Sequence, residues 1–158
     1  MTIQAGDRIF LDTNVLLCAS DSSRKQHATA LELISEASAS GIQLFVSGQV
    51  LREYLVVATQ PISQNGLGMT PEEALGNVEQ IKNRTGLAEE GRDVTERLGQ
   101  LVSRHGLRGK RIHDAGIAAT MASAGIEILV SENRSDFEGI EFIRILDIAR
   151  AASEVLPS

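Results

Sequence analysis

The sequence predicts an α/β fold in which helices cover both faces of a central sheet. Short apolar runs typical of buried strands alternate along the chain with longer segments whose apolar residues recur at helical spacing. The chain has 158 residues, of which 42% are hydrophobic, enough for one domain with a substantial core. We therefore predict a single domain over residues 1–158, a three-layer α/β/α arrangement with four to five mainly parallel strands.

The first strand and the residues after it anchor this prediction. A short apolar run at residues 9–11 ends in Asp12-Thr13-Asn14 before apolar residues resume. Asp, Thr and Asn favour helix N-caps because their side chains accept hydrogen bonds from the free N–H groups of the first turn. Asp12 is therefore expected where a strand ends and a helix begins, at the sheet edge where ligands bind in open α/β folds.

The other elements follow from the same patterns. Further strands are predicted at residues 42–46, 126–130 and 142–146. Further helices are predicted at residues 22–40, 71–84, 89–105 and 113–123, with one capped by Ser47 that runs to Ala58 and a short final helix to about Glu154. Thr70 is the expected cap of the helix at residue 71, and Gly41 and Gly125 are expected to end the helices before them. The segment from Thr59 to Pro71 is the least regular part of the chain. We expect it to be a mobile loop.

Composition excludes several classes of function. The lone Cys18 rules out an internal disulfide and a cysteine-rich zinc site. With four Phe, one Tyr and no Trp, the chain is poorly suited to bind single strands by base stacking. Residues 1–7 show no secretory signal and no apolar run is long enough to span a membrane, which predicts a cytoplasmic protein. The net charge of -6 counts against nucleic-acid binding by phosphate neutralisation, unless part of that charge belongs to a metal site.

Four acidic residues fall at junctions between the predicted elements. They are Asp12 after the first strand, Glu53 in the helix after the second, Asp114 at the start of a later helix and Asp136 after the third inner strand. Because carboxyl ends of parallel strands meet at one edge of a sheet, these carboxylates are expected to converge. Two unit charges about 4 Å apart repel by roughly 4 kcal/mol at an effective dielectric near 20, so such a cluster requires cations or protons. Oxygen ligands of this kind suit Mg²⁺ or Mn²⁺, which act in phosphodiester hydrolysis.

Each acid also has a purely structural interpretation, as an N-cap, a solvated helix residue, a charge at a helix N-terminus or a turn residue. The neighbouring residues favour the functional interpretation. Four motifs contain the acids: Phe10-Leu-Asp12-Thr13-Asn14-Val15-Leu16, Ser47-Gly-Gln-Val-Leu-Arg-Glu53-Tyr54, His113-Asp114-Ala115 and Ser131-Glu-Asn133-Arg-Ser-Asp136-Phe137. In order and spacing they resemble the motifs of the PIN-domain nucleases, and most of all those of the VapC-type toxins of bacterial toxin–antitoxin pairs.

The resemblance covers about residues 9–147 and implies an endoribonuclease that depends on Mg²⁺ or Mn²⁺. It assigns metal-binding and catalytic roles to Asp12, Glu53, Asp114 and Asp136, and supporting roles around them to Thr13, Asn14, Ser131 and Asn133. Asn133 stands where many family members carry another acid, which makes one metal position less anionic. Whether the site binds one metal ion or two therefore stays open. The family also implies a homodimer and a cognate antitoxin protein, for which residues 59–71 and the following helix are the expected groove.

A basic turn precedes Asp114. Arg108, Lys110 and Arg111, with Arg104 before them, are candidates for contacts with RNA phosphates, and the alternative is a solvated loop and helix end.

Other classes of protein remain as alternatives. A phosphatase of the haloacid-dehalogenase type is improbable, because it requires a second Asp where this chain has Asn14. A housekeeping RNA-processing nuclease and a PIN-like module that binds RNA or protein without cleavage stay open. Growth arrest on expression distinguishes a toxin from a housekeeping nuclease. A folded chain that binds no metal would favour the binding module.

Overall fold

A five-stranded parallel sheet forms the centre of the computed structural model, which describes residues 2–157. Its strands are β1 (Arg8–Leu11), β2 (Gln43–Ser47), β3 (Gly86–Ala88), β4 (Ile128–Val130) and β5 (Arg144–Leu146). They lie in the order β3-β2-β1-β4-β5, and every neighbouring pair is parallel. The central strand β1 is buried from Ile9 to Leu11, as expected for a parallel sheet covered on both faces.

Seven α-helices in the described part of the chain cover the sheet. They are α1 (Thr13–Ser20), α2 (His27–Glu36), α3 (Gly48–Thr59), α4 (Pro71–Arg84), α5 (Arg92–His105), α6 (Arg111–Ala124) and α7 (Ile148–Val155). Helices α1 to α4 pack on one another and α2 also packs on α7, whereas α5 packs on α6. The predicted three-layer α/β/α fold with a parallel sheet is confirmed. Across residues 2–157 there is no helix with the length and hydrophobicity of a membrane span.

The edge strand β3 is the element that the sequence pattern did not reveal. It has three residues, of which only Ala88 is buried, so it lacks the apolar run of an inner strand. Gly86 is required there, because a Cβ at this position would lie 2.6 Å from Cε1 of Phe45 in the neighbouring strand. The helix predicted from residue 89 begins instead at Arg92.

The helix predicted over residues 22–40 is shorter than expected. Asp21 accepts hydrogen bonds from the main-chain N–H of Ser23 (3.0 Å) and from its hydroxyl group (2.6 Å). Such local side-chain bonds compete with helix formation, so residues 21–26 form turns and α2 begins at His27. A short 3₁₀ turn, Ala37–Ser40, then leads to Gly41, whose φ of 76° ends the helical segment as predicted.

The strands β4 and β5 each begin two residues later than predicted. Before β4, the main-chain N–H of Ile126 donates to the carbonyl of Met121 (2.9 Å), across Gly125 with a φ of 70°. This bond belongs to the closing turn of α6, so residues 126 and 127 complete the helix end before the strand starts.

The irregular segment after α3 is folded back onto the end of that helix. Its main-chain N–H groups donate to α3 and to the residue after it, with bonds from Leu67 to Val57 (3.0 Å), Met69 to Ala58 (2.9 Å) and Gly68 to Gln60 (2.9 Å). The segment thus has a defined hydrogen-bonded path, and its mobility stays a prediction. Helix α4 then starts at the predicted Thr70 in a capping box.

The two ends of the chain are tied together by Glu154 in α7. Its side chain, 6% exposed, accepts from the main-chain N–H of Ile3 at 2.9 Å and forms ion pairs with Arg144 and Arg150. The hydrogen bond from Arg150 contributes most to lowering the pKa of Glu154 to about 2. The carboxylate therefore stays ionised at neutral pH and holds the N-terminal segment against the last helix.

Tyr54 links three helices in the core through its hydroxyl group. The side chain is fully buried, and its oxygen lies 2.7 Å from Oγ of Ser20 in α1 and accepts from Nδ2 of Asn77 in α4 at 3.0 Å. Ser20 donates its own hydrogen to the carbonyl of Leu16, so Tyr54 donates to Ser20.

We expect Tyr54→Phe to lower the free energy of unfolding by about 1 kcal/mol, because the variant removes two hydrogen bonds and leaves the Asn77 amide short of a partner. Urea denaturation followed by circular dichroism measures the difference. Wild-type stability in this variant would show that the link between the three helices contributes nothing.

Candidate active site

The candidate site lies where β1 and β4 end side by side at the carboxyl edge of the sheet. The chain leaves β1 towards β2 and leaves β4 towards β5, on opposite sides, which creates the crevice where open α/β sheets bind ligands. Asp12 directly follows β1 and Ser131 directly follows β4. Their backbones continue the sheet, since Asp12 N–H donates to the Val130 carbonyl (3.0 Å) and Ser131 N–H to the Leu146 carbonyl (2.9 Å).

Three hydrogen bonds hold the Asp12 carboxylate. Oδ1 accepts from the main-chain N–H of Thr13 (2.8 Å), and Oδ2 accepts from Oγ of Ser131 (2.7 Å) and Nδ2 of Asn14 (3.2 Å). The side chain is only 7% exposed. Burial raises the pKa of Asp12, and nearby carboxylates add to the effect, although the bonds from Ser131 and Thr13 oppose it. Asp12 is both the predicted N-cap of α1 and the most rigidly held acid of the four.

The hydrogen-bond network around Asp12 fixes the direction of each bond. Ser131 Oγ accepts from the main-chain N–H of Asn133 (3.0 Å) and from Nδ2 of Asn14 (3.3 Å), so its single hydrogen is available to Asp12. Asn14 Oδ1 accepts from the main-chain N–H of Glu132 (3.1 Å), which turns its Nδ2 towards Asp12 and Ser131. The network therefore surrounds Asp12 Oδ2 with donors.

Glu53 approaches the same crevice from α3. Ser47 caps this helix by accepting from the main-chain N–H of Val50. Oε1 of Glu53 accepts from the hydroxyl group of Thr13 at 3.0 Å, so the residue after Asp12 orients the second acid.

Asp114 lies in the first turn of α6, which has no side-chain N-cap. The basic turn supplies main-chain acceptors instead, because N–H groups of residues 111–113 donate to the carbonyls of residues 108–110. Partial burial, followed by the charges of Asp136, Asp12 and Glu53, raises the pKa of Asp114 to about 6, and Arg111 opposes the shift. Asp114 therefore exchanges its proton close to neutral pH.

All four acids line one open cleft of about 470 Å³. Its lining residues are Asp12, Thr13, Asn14, Leu17, Glu53, Val57, Lys110, Asp114, Ile117, Asn133 and Asp136. Ser131 is fully buried beneath the cleft. The structure thus brings the predicted acids together, while their catalytic roles stay predictions.

The structure separates the basic residues that the sequence grouped. Lys110 lines the acidic cleft. Arg111, the first residue of α6, is exposed and its charge opposes the rise in the pKa of Asp114, while Arg108 is exposed in the preceding turn. Arg104 lies elsewhere, in a groove shared with Phe142. Of these four residues, Lys110 is therefore the one that lines the cleft.

The apolar wall of the cleft is a feature that sequence reasoning missed. Leu17, Val57 and Ile117 line the cleft one helical turn after Thr13, Glu53 and Asp114, respectively. The signal was available, since residues three or four positions apart share one face of a helix. Apolar walls displace water and strengthen electrostatic interactions among the acids.

The chemistry of the donors fits a divalent cation, although the arrangement is open. Among residues 2–157, no three carboxylate, imidazole or thiol side chains are close enough together to form a preformed metal site. Mg²⁺ commonly keeps several waters and uses only one or two carboxylates. Burial and the nearby carboxylates raise the pKa values of Asp12 and Asp114. Together the four acids of the cleft provide the oxygen ligands and the negative potential that such an ion requires.

Comparison with known proteins gives the family. The model of the PIN domain matches residues 9–143. No curated protein sequence matches the chain.

Solved structures share the fold at low sequence identity. One is VapBC2 from Rickettsia felis bound to a promoter DNA fragment, with 19% identity, a TM-score of 0.65, and coverage of 89% of this chain and 98% of that chain. A second is DNA-bound VapBC from Salmonella typhimurium, with 23% identity, a TM-score of 0.64, and coverage of 90% and 98%. A third is the Mycobacterium tuberculosis toxin VapC20, described as cleaving the sarcin-ricin loop, with 20% identity, a TM-score of 0.58, and coverage of 77% and 86%. The chain therefore belongs to the PIN-domain family, and its fold is the one found in VapC-type toxins.

Proposed function

We propose that this protein is a divalent-metal-dependent endoribonuclease and the toxin of a toxin–antitoxin pair. The observation that carries the proposal is the convergence of four carboxylates on one cleft at the switch point of the sheet. Membership of the PIN-domain family supports nuclease activity. The fold shared with VapBC complexes and with an RNA-cleaving VapC toxin supports the toxin assignment.

In this proposal Asp12 and Asp114 hold Mg²⁺ or Mn²⁺, and Glu53 and Asp136 complete or orient the ligand set. The cation supplies positive charge that offsets the carboxylates and stabilises the negative charge that develops on the phosphate during hydrolysis. The donors around Oδ2 of Asp12 keep that carboxylate in one orientation, and the Thr13 hydroxyl does the same for Glu53.

Two further features of the cleft affect this scheme. Asp114, with a pKa of about 6 in the metal-free protein, must release its proton when the cation binds, so the affinity for the cation is expected to rise as the pH rises through 6. Lys110 in the cleft, with Arg108 and Arg111 beside it, contacts phosphates of the RNA and offsets the negative net charge locally.

The proposed partners are a cognate antitoxin and a second copy of the chain. Ile62, Leu67 and Met69 of the segment after α3 line a groove beside residues 20–23, and Ile62 is 77% exposed. The groove uses the segment expected from the sequence, but its second wall is formed by residues 20–23 and not by the following helix. An apolar helix or extended segment of an antitoxin would cover it.

We expect Asp12→Asn to lower RNA cleavage at least about 100-fold, because even residues that only support metal ligands cost 10- to 100-fold when replaced. Asn retains N-cap ability, so the fold should be kept. The measurement is cleavage of total cellular RNA by purified protein with Mg²⁺ or Mn²⁺, and with EDTA.

The matched control is Asp147→Asn. Asp147 also follows a strand and caps the next helix, α7, but it does not line the cleft. This variant should cleave within about twofold of wild type. Equal activity of Asp12→Asn and wild type would contradict the site assignment, and a folded wild-type protein that neither binds Mn²⁺ nor cleaves would favour a binding module.

We expect Asp114→Asn to stabilise the metal-free protein at neutral pH. The folded-state pKa of Asp114 is raised from 3.8 to about 6, so its contribution to stability is fully present below about pH 4 and is lost as the pH rises through 6. The advantage of the variant should therefore grow between pH 4 and 6 and then level off. Urea denaturation in EDTA measures the difference in the free energy of unfolding between the variant and wild type. In excess Mn²⁺, wild type should become the more stable of the two.

Asp93→Asn is the control for this comparison. Asp93 occupies the first turn of α5, but its bond with Arg97 lowers its pKa, so this variant should gain no stability between pH 4 and 6. If the free energies of unfolding of wild type and Asp114→Asn differ by the same amount from pH 4 to 6, the raised pKa of Asp114 is contradicted.

We expect expression of the chain alone to arrest bacterial growth, and expression of Asp12→Asn to leave growth normal. Co-expression of a small protein encoded beside the gene should restore growth and yield a stable complex. The measurement is growth after induction, followed by co-purification. RNA cleavage in vitro without growth arrest would favour a housekeeping nuclease.

A further inference from the structure

Gln49 joins the two helices that carry Glu53 and Asp114. It lies in the first turn of α3, one helical turn before Glu53, and is 9% exposed. Its Nε2 donates to the carbonyl oxygen of His113 at 2.8 Å. His113 directly precedes Asp114, so this bond connects the helix of one acid to the peptide unit that leads into the other.

The partners of the Gln49 amide determine its orientation. The carbonyl oxygen of His113 can only accept a hydrogen bond, so the amide must turn its nitrogen towards it. Its Oε1 then faces Gly116 in the next part of α6, where a Cβ would lie 2.7 Å away. Gln49 therefore occupies the gap that the absent side chain of Gly116 leaves on α6.

The backbone of Gln49 is fixed from the other side. Its main-chain N–H donates to Oε2 of Glu90 at 3.0 Å, in the segment between β3 and α5. A carboxylate at this position also interacts favourably with the N-terminus of α3. Both the backbone and the side chain of Gln49 are thus restrained.

Direct contacts between these two helices are few, and α3 and α6 pack instead on the neighbouring strands β2 and β3. The extensive packing of α6 is with α5, and that of α3 is with α1 and α4, while α3 and α6 share little surface within residues 2–157. The carboxylates of Glu53 and Asp114 repel each other across the cleft, which favours a wider separation of the two helix ends. The Gln49 bond opposes that movement.

We propose that Gln49 is a positioning residue that sets the separation of Glu53 and Asp114 and thereby the affinity of the cleft for a divalent cation. The proposal rests on the proposed function, and it deepens it by naming a residue that touches neither the cation nor the RNA.

The test compares Gln49→Met with wild type. Methionine matches the length of glutamine and has no hydrogen-bond donor. The Kd for Mn²⁺ is measured by electron paramagnetic resonance without RNA, beside unfolding in EDTA and RNA cleavage. We expect the Kd to rise about 10-fold, as for other residues that orient metal ligands, with a similar fall in kcat and little change in KM for RNA.

Tyr54→Phe is the matched control, because it removes buried hydrogen bonds from the same helix without touching α6. It should lose comparable stability and keep its Kd for Mn²⁺ within about twofold of wild type. An equal rise in Kd for both variants would overturn the proposal, because a general loosening of α3 would then explain it.

Gly116→Ala tests the same contact from the opposite side. Alanine favours helix formation, yet its Cβ would displace the Gln49 amide, so Mn²⁺ binding should weaken. In the Gln49→Met background, Gly116→Ala should raise the Kd for Mn²⁺ by a smaller factor than it does in wild type. Wild-type Mn²⁺ affinity in Gln49→Met overturns this inference and leaves the nuclease proposal intact, whereas a wild-type protein that neither binds Mn²⁺ nor cleaves RNA overturns both.

Discussion

Electrostatic repulsion among four carboxylates is the constraint on which the site depends. The fold brings Asp12, Glu53, Asp114 and Asp136 to one cleft, where partial burial and then the charges of the other three acids raise the pKa of Asp114. The surrounding framework holds the acids in spite of this repulsion, through donors on Asp12 and the Thr13 hydroxyl on Glu53. A cation bound as proposed would stabilise the folded state, because it binds the assembled cleft and not the unfolded chain.

The donors that hold Asp12 follow the two strands that flank the switch point. Ser131 directly follows β4, and Asn14 lies in the first turn of α1 after β1, so the network joins both halves of the sheet at its carboxyl edge. Apolar side chains on α1, α3 and α6 surround the acids and reduce their solvation. Preorganised charge and low local dielectric together are what phosphoryl chemistry requires of a protein scaffold.

Local chemistry explains how much of this could be predicted. The Asp12 cap, the Thr70 capping box and the glycine stops are encoded within a few residues, and they occur where expected. Strand β3 could not be predicted in this way, because Gly86 is packed against Phe45 of the neighbouring strand. The separation of Lys110 from Arg104 could not be predicted either, because tertiary packing places them in different grooves. Gln49 was missed for the same reason, because its partners lie in segments far along the chain.

The bond between Ser131 and Asp12 spans 119 residues, and this has a consequence for synthesis on the ribosome. Asp12, Glu53 and Asp114 emerge first, but Ser131, the donor that orients Asp12, and Asp136, the fourth acid, are synthesised later. A nascent chain, or one released by premature termination before residue 131, lacks both. The complete cleft can therefore assemble only after residues 131–136 have left the ribosome.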